Sequence, residues 1–200
     1  MQQSDLFGFP EPTHMAGVDE AGRGPLAGDV FAAAVILRVG QVIPGLTDSK
    51  KLSEPKRLSL ASIIREQALA WCVARATVNE IDSLNILRAS LLAMKRAVEG
   101  LPIQVELAMV DGNQRPDLAC EVQTIIGGDL LVPSISAASI LAKTARDEDM
   151  LKLHERFPEY GFDLHKGYGT ALHMERLQQY GPCAVHRRSF GPVRRMLESV

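Results

Sequence analysis

The chain has 200 residues, of which 46% are hydrophobic and 23% charged, and its formal net charge at pH 7 is −2. These values are ordinary for a soluble globular protein of one domain, and the net charge by itself gives no sign of a nucleic-acid partner. No apolar run reaches the roughly 18 residues of a membrane-spanning helix, and the first residues lack the basic and apolar regions of a signal peptide, so we expect a cytoplasmic protein with no membrane partner.

The first predicted elements are two apolar strands, Met15–Val18 and Val30–Leu37. Between them, the glycine-rich stretch GRGPLAG is typical of a wide turn. Asp19 and Glu20 close the first strand and directly precede this turn. A turn seldom needs two adjacent acids after an apolar strand, so this pair is the first candidate for a functional site.

Helices and strands alternate along the rest of the chain. A helix is predicted after Ser53, which is a suitable N-cap, with Pro55 tolerated in its first turn. The later predicted strands are Ala70–Val78, Val105–Val110 and Val122–Ile126, and the later predicted helices are Asn85–Val98, Ser136–Phe157, Thr170–Tyr180 and Val193–Leu197. This order predicts a single α/β domain over residues 1–200, with a mixed central sheet flanked by helices. We expect residues 1–13 to be a short N-terminal extension and residues 170–200 to be a small helical C-terminal part.

The cysteines exclude two kinds of small fold. Cys72, Cys120 and Cys183 are odd in number, far apart and without a CxxC spacing. Neither a disulfide framework nor a zinc ribbon is therefore indicated. We expect three free thiols, which agrees with a cytoplasmic location.

Four acids share one position relative to the predicted strands. Asp19 and Glu20 close the first strand, Asp111 closes the strand that ends in AMVDGN, and Asp129 lies just beyond another apolar strand. If these strand ends are neighbours in the sheet, the four carboxylates meet, and their repulsion in a low-dielectric cleft is costly without compensation. Two divalent ions would cancel this charge, and an all-oxygen donor set without paired His or Cys favours Mg²⁺ or Mn²⁺ over zinc. We therefore hypothesise a two-metal phosphodiesterase, in which one ion activates water and the other stabilises the leaving oxygen.

Two of these acids also have an ordinary interpretation. Asp111-Gly112 is a common turn pair, and Gly128-Asp129 is a loop pair before a helix. Spacing alone does not show that the four carboxylates converge.

The stretch Gly22–Ala27 has the G-x-G-x-x-A form of a dinucleotide-binding turn, which is a weak signal without its context. The context disagrees, because Asp19 and Glu20 would face a pyrophosphate with like charge and Pro25 lies inside the turn. A strand also follows where a helix is required. A Walker loop is excluded as well, because no Gly-Lys-Ser/Thr sequence follows the glycines.

The C-terminal part carries a local basic patch in this mildly acidic chain. No acid occurs between Glu175 and Glu198, whereas five arginines fall in this interval: Arg176, Arg187, Arg188, Arg194 and Arg195. Such a patch suits phosphate binding, and its alternative interpretation is a solvated helical end.

Six sequence blocks occur in one order along the chain: DEAGRGPLAG, LTDSKKLS, VDGN, SISAASILAKTARD, HKGYGT and HRRSF. In this order, from about Met15 to Val193, they resemble the bacterial ribonuclease HII family. The resemblance implies a ribonuclease H-like fold and hydrolysis of the RNA strand of RNA/DNA hybrids. It also implies incision 5′ of a single ribonucleotide embedded in duplex DNA, with 5′-phosphate and 3′-hydroxyl ends as products.

The same resemblance implies the metal ligands. The four metal-binding carboxylates of the family match Asp19, Glu20, Asp111 and Asp129, and two divalent ions, Mg²⁺ or Mn²⁺, are expected with substrate. By similarity, Asp19 bridges both ions, Glu20 and Asp111 hold the ion near the leaving group, and Asp129 holds the ion that carries the attacking water.

The resemblance further implies the residues that bind the substrate, including a contribution from the helical C-terminal part. Gly22, Arg23 and Gly24 match a motif that reads the ribose 2′-hydroxyl, the group that distinguishes RNA from DNA. Tyr168 matches a tyrosine that packs on that ribose, and a half-buried core tyrosine is the alternative. Phosphate contacts are expected from side chains of the matching blocks, namely Lys50, Lys51, Lys143, Arg146, Arg187, Arg188 and Ser189. His165 is expected to be a loop residue near the substrate.

Three classes of function remain for comparison. A metal-dependent endoribonuclease predicts that removal of any of the four carboxylates abolishes cleavage while the fold survives. A nucleic-acid-binding module with an incidental acidic cluster predicts binding without cleavage, and a dinucleotide-dependent enzyme predicts nicotinamide binding at the glycine-rich turn. We expect the first, acting as a monomer on RNA/DNA hybrids and ribonucleotide-containing duplex DNA, and the sequence identifies no protein partner.

Overall fold

The computed structural model of the protein describes residues 14–198. Its centre is one five-stranded mixed sheet, in which the strands are β1 Met15–Ala21, β2 Val30–Ile36, β3 Ala70–Ala76, β4 Leu107–Asp111 and β5 Glu121–Ile125. The strand order is β3-β2-β1-β4-β5, in which the β3–β2 and β2–β1 pairs are antiparallel and the β1–β4 and β4–β5 pairs are parallel. The predicted N-terminal extension, residues 1–13, lies outside the described residues.

Eight α-helices surround the sheet in the described part of the chain. They are α1 Glu54–Gln67, α2 Val78–Leu84, α3 Ile86–Glu99, α4 Gly128–Leu131, α5 Pro133–Arg156, α6 Phe162–His165, α7 Ala171–Tyr180 and α8 Gly191–Glu198. Two 3₁₀ helices, Ser49–Lys51 and Pro158–Tyr160, complete the regular structure. No helix within residues 14–198 is long and apolar enough to cross a lipid bilayer.

Both faces of the sheet are covered, which explains why β2 is apolar along its whole length. Alternate residues of β2 point to opposite faces: Ala32 and Ala34 pack with α3, whereas Ala33 and Val35 pack with α1 and α5. A strand buried on both faces needs a continuous apolar sequence. The small side chains also let α5 approach closely, and a Cβ added at Gly17 of β1 would lie 2.1 Å from the carbonyl carbon of Ser134. The first turns of α5 are therefore seated directly on β1.

The main correction to the predicted elements concerns the end of β1. The strand does not stop at Val18, because Asp19 and Glu20 continue the antiparallel ladder opposite Ala33 and Ala32 of β2. The two acids are therefore inside a strand. The small alanines opposite them leave room for carboxylates within the sheet.

Helix α2 was missed from the sequence because it is short and directly precedes α3. Thr77 and Glu80 form a capping box at its start: Glu80 donates its N–H to Thr77 Oγ1 at 3.3 Å, and Thr77 donates its N–H to Glu80 Oε2 at 2.8 Å. Asn85, with a positive φ of 71°, separates α2 from α3. The other predicted strands and helices are present, with ends shifted by a few residues.

The helical C-terminal part packs on the far end of α5 around a separate apolar cluster that includes Met150, Phe162 and Leu177. It is also joined to the glycine-rich turn by backbone hydrogen bonds: Gly28 donates to Val185 at 2.9 Å, and Arg187 donates to Leu26 at 2.8 Å. The three cysteines are free thiols, as predicted.

Candidate active site

Four carboxylates meet at one edge of the sheet. Asp19 and Glu20 lie near the end of β1, and Asp111 is the last residue of the parallel neighbour β4, where Val18 pairs with Val110. Asp129 lies in α4, which follows β5 after two residues. Because parallel strands end at the same edge of a sheet, these ends lie side by side. The backbone N–H of Gly128 donates to Asp111 Oδ1 at 2.8 Å, which holds the start of α4 against the end of β4.

Burial and repulsion by neighbouring carboxylates raise the pKa values of three of these acids. Burial is the largest cause for Asp19, Glu20 and Asp129, and the charge of Asp111 raises the pKa of each of them further. Asp19, which is 5% exposed, has its pKa well above the usual range because it is buried and, next, because Glu20 is close. Asp111 is therefore the carboxylate that interacts with the other three, and the edge carries negative charge that is only partly compensated.

Asp48 is a fifth acid at this edge, and the sequence analysis missed it. It raises the pKa of Asp129, and it accepts a hydrogen bond from Lys50 N at 2.9 Å at the start of the 3₁₀ helix. The charge of Lys50 acts in the opposite direction and lowers the pKa of both Glu20 and Asp129. The block LTDSKKLS contained the signal, an acid two residues before a predicted phosphate-binding lysine.

The donor set matches Mg²⁺ or Mn²⁺, although the protein alone does not form a closed cage. Within residues 14–198, no three side chains of His, Cys, Asp or Glu are arranged closely enough to hold a metal ion by themselves. Magnesium seldom needs such a cage, because it keeps several waters and is usually bound by one or two carboxylates together with substrate phosphates. One buried and three partly buried carboxylates at one edge of the sheet therefore fit a hard divalent cation.

A cleft of about 160 Å³ adjoins the carboxylates. Its lining includes most of the predicted substrate residues: Glu20, Ala21, Gly22, Arg23, Gly24, Ser49, Lys50, Ser139, Lys143, Arg146 and Tyr168. A larger cavity of about 530 Å³ lies near the start of β1 but has no carboxylate in its lining, so the chemistry points to the smaller cleft.

The floor of the cleft is built by Gly22 and Arg146. Gly22 has a positive φ of 102°, and a Cβ there would lie 2.1 Å from Arg146 Nε, so only glycine fits. Arg146 is 1% exposed, and its Nη2 donates to Lys166 O at 2.9 Å, whereas its Nε and Nη1 have no protein partner. Its guanidinium lies 5.8 Å from the ring centre of Tyr168. The floor therefore presents a buried cation below a half-exposed aromatic ring.

The prediction that Arg187 contacts phosphate is wrong for its side chain. Arg187 is completely buried, and its five N–H groups donate to five backbone carbonyls, those of Gly22, Arg23, Pro25, Gly28 and Asp29, at 2.6 to 3.3 Å. No donor is left for a substrate. The charge lies inside the glycine-rich turn because the turn offers more carbonyl acceptors than backbone donors can satisfy.

Arg188 and Ser189, the two residues after Arg187, do not enter the glycine-rich turn. Arg188 is exposed, and its backbone N–H donates to Asp82 at 3.0 Å. Ser189 donates both its backbone N–H and its hydroxyl to Asp82 Oδ1, at 2.9 and 2.6 Å. The basic segment is therefore divided into one buried arginine, one exposed arginine and a serine bonded to α2.

Two further predicted residues are engaged within the protein. Lys143 lines the cleft, but its Nζ donates to Asp147 Oδ1 at 2.6 Å, and Asp147 also accepts from the buried Arg57 at 2.9 Å. His165 is buried in α6, not in a loop near the substrate, and its ring stacks on His173 with 4.3 Å between ring centres. Lys143 therefore reaches the cleft as part of an ion-pair network, and His165 belongs to the C-terminal core.

Sequence and structure comparisons agree on one family of similar proteins. A family model described as Ribonuclease HII matches residues 16–193. The chain is 64% identical over 196 residues to a ribonuclease HII of Bordetella pertussis, which covers 97% of this chain and 98% of that protein. It is 58% identical to a ribonuclease HII of Burkholderia lata, over 97% of this chain and 91% of the relative.

Among solved structures, the ribonuclease H2 of Pyrococcus horikoshii OT3 is similar, with a TM-score of 0.78 and 27% identity over 92% of this chain and 97% of that one. An Archaeoglobus fulgidus RNase HII, solved as a complex with PCNA, has a TM-score of 0.70 and 25% identity over 91% and 96%. Bst-RNase HIII, solved with Mn²⁺, has a TM-score of 0.75 over 94% and 70%, and at 18% identity it shows likeness of fold alone.

Proposed function

The chain belongs to the ribonuclease HII family and is thus a ribonuclease H acting on RNA/DNA hybrids, and from that premise we propose that it is a divalent-metal-dependent endonuclease that incises duplex DNA 5′ of an embedded ribonucleotide. Its fold is the α/β ribonuclease H-like fold. The proposal includes a single domain that acts as a monomer in the cytoplasm and leaves 5′-phosphate and 3′-hydroxyl ends.

One observation supports the proposal most strongly: the sheet edge that bears the four carboxylates is continuous with the cleft that has a glycine in its floor. Glu20 belongs to both, because it lies beside Asp19 in β1 and also lines the cleft with Gly22, Gly24 and Tyr168. A phosphodiester next to a ribose in the cleft would therefore lie against the acids. Recognition of the sugar and hydrolysis of its phosphate would then take place on two groups of one nucleotide.

Asp19, Glu20, Asp111 and Asp129 are the residues that would hold Mg²⁺ or Mn²⁺. When bound, the ions would supply a water of lowered pKa and positive charge at the scissile phosphate. The carboxylates themselves provide a partly buried negative edge. Asp111 is fixed by the N–H of Gly128, and Asp19 Oδ1 accepts from the N–H of Glu20 at 2.7 Å.

The cleft would select the ribonucleotide through its floor and its aromatic wall. Gly24 lies close to Tyr168, since a Cβ added there would lie 3.6 Å from Tyr168 Cε1. A ribose could pack on this ring while the backbone of Gly22–Gly24 contacts its 2′-hydroxyl, the donor and acceptor that DNA lacks. The lack of side chains at Gly22 and Gly24 permits that approach.

Phosphate contacts would come from the cations that keep free donors. Lys50 is exposed at the cleft, Arg146 has two nitrogens without a protein partner, and Arg188 is exposed on the adjoining surface. Such contacts position a duplex without reading its sequence. Lys143 and Ser189 would need to exchange their present partners, Asp147 and Asp82, to take part.

The experiment that tests the proposal is a substrate panel at one protein concentration in Mg²⁺. It compares a long RNA/DNA hybrid, a DNA duplex with one ribonucleotide and the same duplex without it, with cut sites mapped at nucleotide resolution. We expect cuts in the hybrid, a single cut 5′ of the ribonucleotide and no cut in the all-DNA duplex. Binding of all three duplexes without cleavage in either Mg²⁺ or Mn²⁺ would instead favour the nucleic-acid-binding module.

A further inference from the structure

The glycine-rich turn is organised around one side chain from the C-terminal part. Arg187 Nη2 donates to Gly22 O at 2.6 Å, and its Nη1 donates to Arg23 O at 3.0 Å and Pro25 O at 2.8 Å. Because all five N–H groups of Arg187 are used, any shift of the turn breaks a buried hydrogen bond. The backbone conformation of Gly22 and Arg23 is therefore set by a residue more than 160 positions away in sequence.

The residue before Arg187 holds the turn that carries Tyr168, the aromatic wall of the cleft. His186 Nε2 lies 3.1 Å from His173 Nε2, and His173 Nδ1 lies 2.9 Å from the carbonyl oxygen of Tyr168. Cys183 donates its backbone N–H to His186 Nδ1 at 3.0 Å. Because an N–H can only donate, His186 carries its proton on Nε2, His173 accepts that proton's hydrogen bond, and His173 Nδ1–H donates to Tyr168.

This arrangement permits one tautomer of each ring, with both histidines neutral. Burial is the main cause that lowers the pKa of His173 and of His186 to about 4, which agrees with the neutral forms at physiological pH. Both rings are inaccessible to solvent, at 0% and 1% exposure. The chain of donors therefore runs in one direction, from Cys183 through two imidazoles to the backbone of Tyr168.

Backbone hydrogen bonds also join the glycine-rich turn to the segment around His186 and to the turn that carries Tyr168. His186 forms a β-bridge with Ala27, and Leu26 donates its N–H to Gly167 O at 2.8 Å. The glycine-rich turn, the turn that carries Tyr168 and the segment around His186 thus form one bonded unit. Two adjacent residues, His186 and Arg187, reach from this unit to the aromatic wall and to the glycine-rich turn of the same cleft.

We propose that the His186-Arg187 pair is a positioning unit that sets the distance between the Gly22–Gly24 backbone and Tyr168, and thereby the preference for a ribonucleotide. Neither residue touches the substrate. The inference rests on the proposed function, because it assigns a determinant of its selectivity. A pocket that distinguishes a ribose by one hydroxyl needs its walls held to within about 0.5 Å.

The test uses variants that change either Arg187 or His186. Arg187→Lys keeps the charge but offers fewer donors, His186→Leu removes the hydrogen bond to His173, and His186→Gln keeps an amide donor near the position of Nε2. Arg156→Lys, at an exposed position at the end of α5, is the matched control. Each variant is measured for affinity toward a duplex with one ribonucleotide and toward the all-DNA duplex in EDTA, and for Mn²⁺ affinity by calorimetry.

We expect Arg187→Lys and His186→Leu to lose about tenfold or more of the ribonucleotide preference, because buried polar groups left without partners shift the geometry of the cleft. The affinity for Mn²⁺ should stay within about twofold of the wild-type value. His186→Gln and Arg156→Lys should retain the preference. Equal losses of preference and Mn²⁺ affinity, or an unchanged preference in folded Arg187→Lys and His186→Leu, would overturn the inference. A wild-type protein with no ribonucleotide preference and no cleavage would contradict the proposed function itself, and the inference would fall with it.

Discussion

The backbone N–H of Gly128 donates to Oδ1 of Asp111 at 2.8 Å. This bond brings α4, and with it Asp129, to the end of β4, where the parallel strand β1 also delivers Asp19 and Glu20. Three elements that are far apart in sequence therefore place like charges side by side. The cost of that repulsion in the metal-free protein is measurable.

Asp19→Asn should stabilise the metal-free protein while it abolishes cleavage. The pKa of Asp19 is raised mainly by burial and next by the charge of Glu20, so the ionised form opposes folding at neutral pH. Removal of the charge should increase the free energy of unfolding in EDTA by about 1 to 2 kcal/mol. Thermal unfolding with and without Mg²⁺ checks this, because the metal should stabilise the wild type more than the variant. A less stable variant in EDTA would show that the charge is not repelled in the folded state.

Gly22→Ala should strongly reduce activity. The added Cβ would lie 2.1 Å from Arg146 Nε at a positive φ, so both the turn and the buried guanidinium must move. Gly45→Ala is the control, since Gly45 also has a positive φ but its Cβ would have no neighbour closer than 3.8 Å. Backbone strain should cost each variant about 1 kcal/mol of stability, and Gly22→Ala should lose more because of its clash with Arg146. Only Gly22→Ala should lose about a hundredfold or more in kcat/KM. Equal activities of the two variants would contradict the role of the floor.

Asp147→Ala should strongly destabilise the protein. Asp147 accepts from the buried Arg57 at 2.9 Å and from Lys143 at 2.6 Å, so its removal leaves two cations without their partner. Breaking a buried pair in this way costs about 3 to 5 kcal/mol. Urea unfolding measures the loss, with the exposed neighbour Glu148→Ala as control, for which a change within about 0.5 kcal/mol is expected. A loss no larger than that of the control would mean that the network carries no stability.

The histidine pair predicts a loss of stability in mild acid. His173 and His186 have folded-state pKa values of about 4 against an ordinary 6.5, mainly because they are buried. Between these values the unfolded chain binds protons that the folded protein does not, so stability falls as the pH drops from 6.5 to 4. The slope is at most about 1.4 kcal/mol per pH unit for each ring. His165, whose pKa burial also lowers, stacks on His173 and adds in the same direction.

Asp19, Glu20 and Asp129 have raised pKa values and change stability with the opposite sign in part of this range. The effect of the histidines is therefore isolated by comparison with a His173→Gln, His186→Gln double variant, followed by urea unfolding at several pH values. The wild type should show the steeper loss of stability between pH 6.5 and 4. Parallel curves for the two proteins would rule out buried neutral histidines.

Much of the fold was predictable because it depends on local pattern. The apolar run of β2 and the helical spacing of α1 and α3 are typical of their structures, and the acids after apolar strands indicated the edge where the carboxylates meet. The extent of β1 was not predictable, because its last residues are held in the strand by alanines of β2. Whether strand ends are neighbours is likewise a property of the sheet order.

The side chain of Arg187 shows most clearly what could not be predicted from the sequence. In the sequence it stands in a basic segment, and a run of arginines is typical of phosphate binding. Its burial depends on the carbonyl groups of a turn that is remote in sequence, and nothing in the local pattern of HRRSF distinguishes it from the exposed Arg188. Long-range hydrogen bonds of this kind are visible only in three dimensions.

The most direct test of the central claim is single-turnover incision of a DNA duplex with one ribonucleotide, by the wild type and by Asp19→Asn, in Mg²⁺ and in EDTA. The account predicts one cut 5′ of the ribonucleotide by the wild type in Mg²⁺, no cut in EDTA, and a rate lower by about a thousandfold or more for the variant. Incision that persists in EDTA, or that proceeds in Asp19→Asn at a rate near that of the wild type, would contradict a metal-dependent reaction at this carboxylate edge.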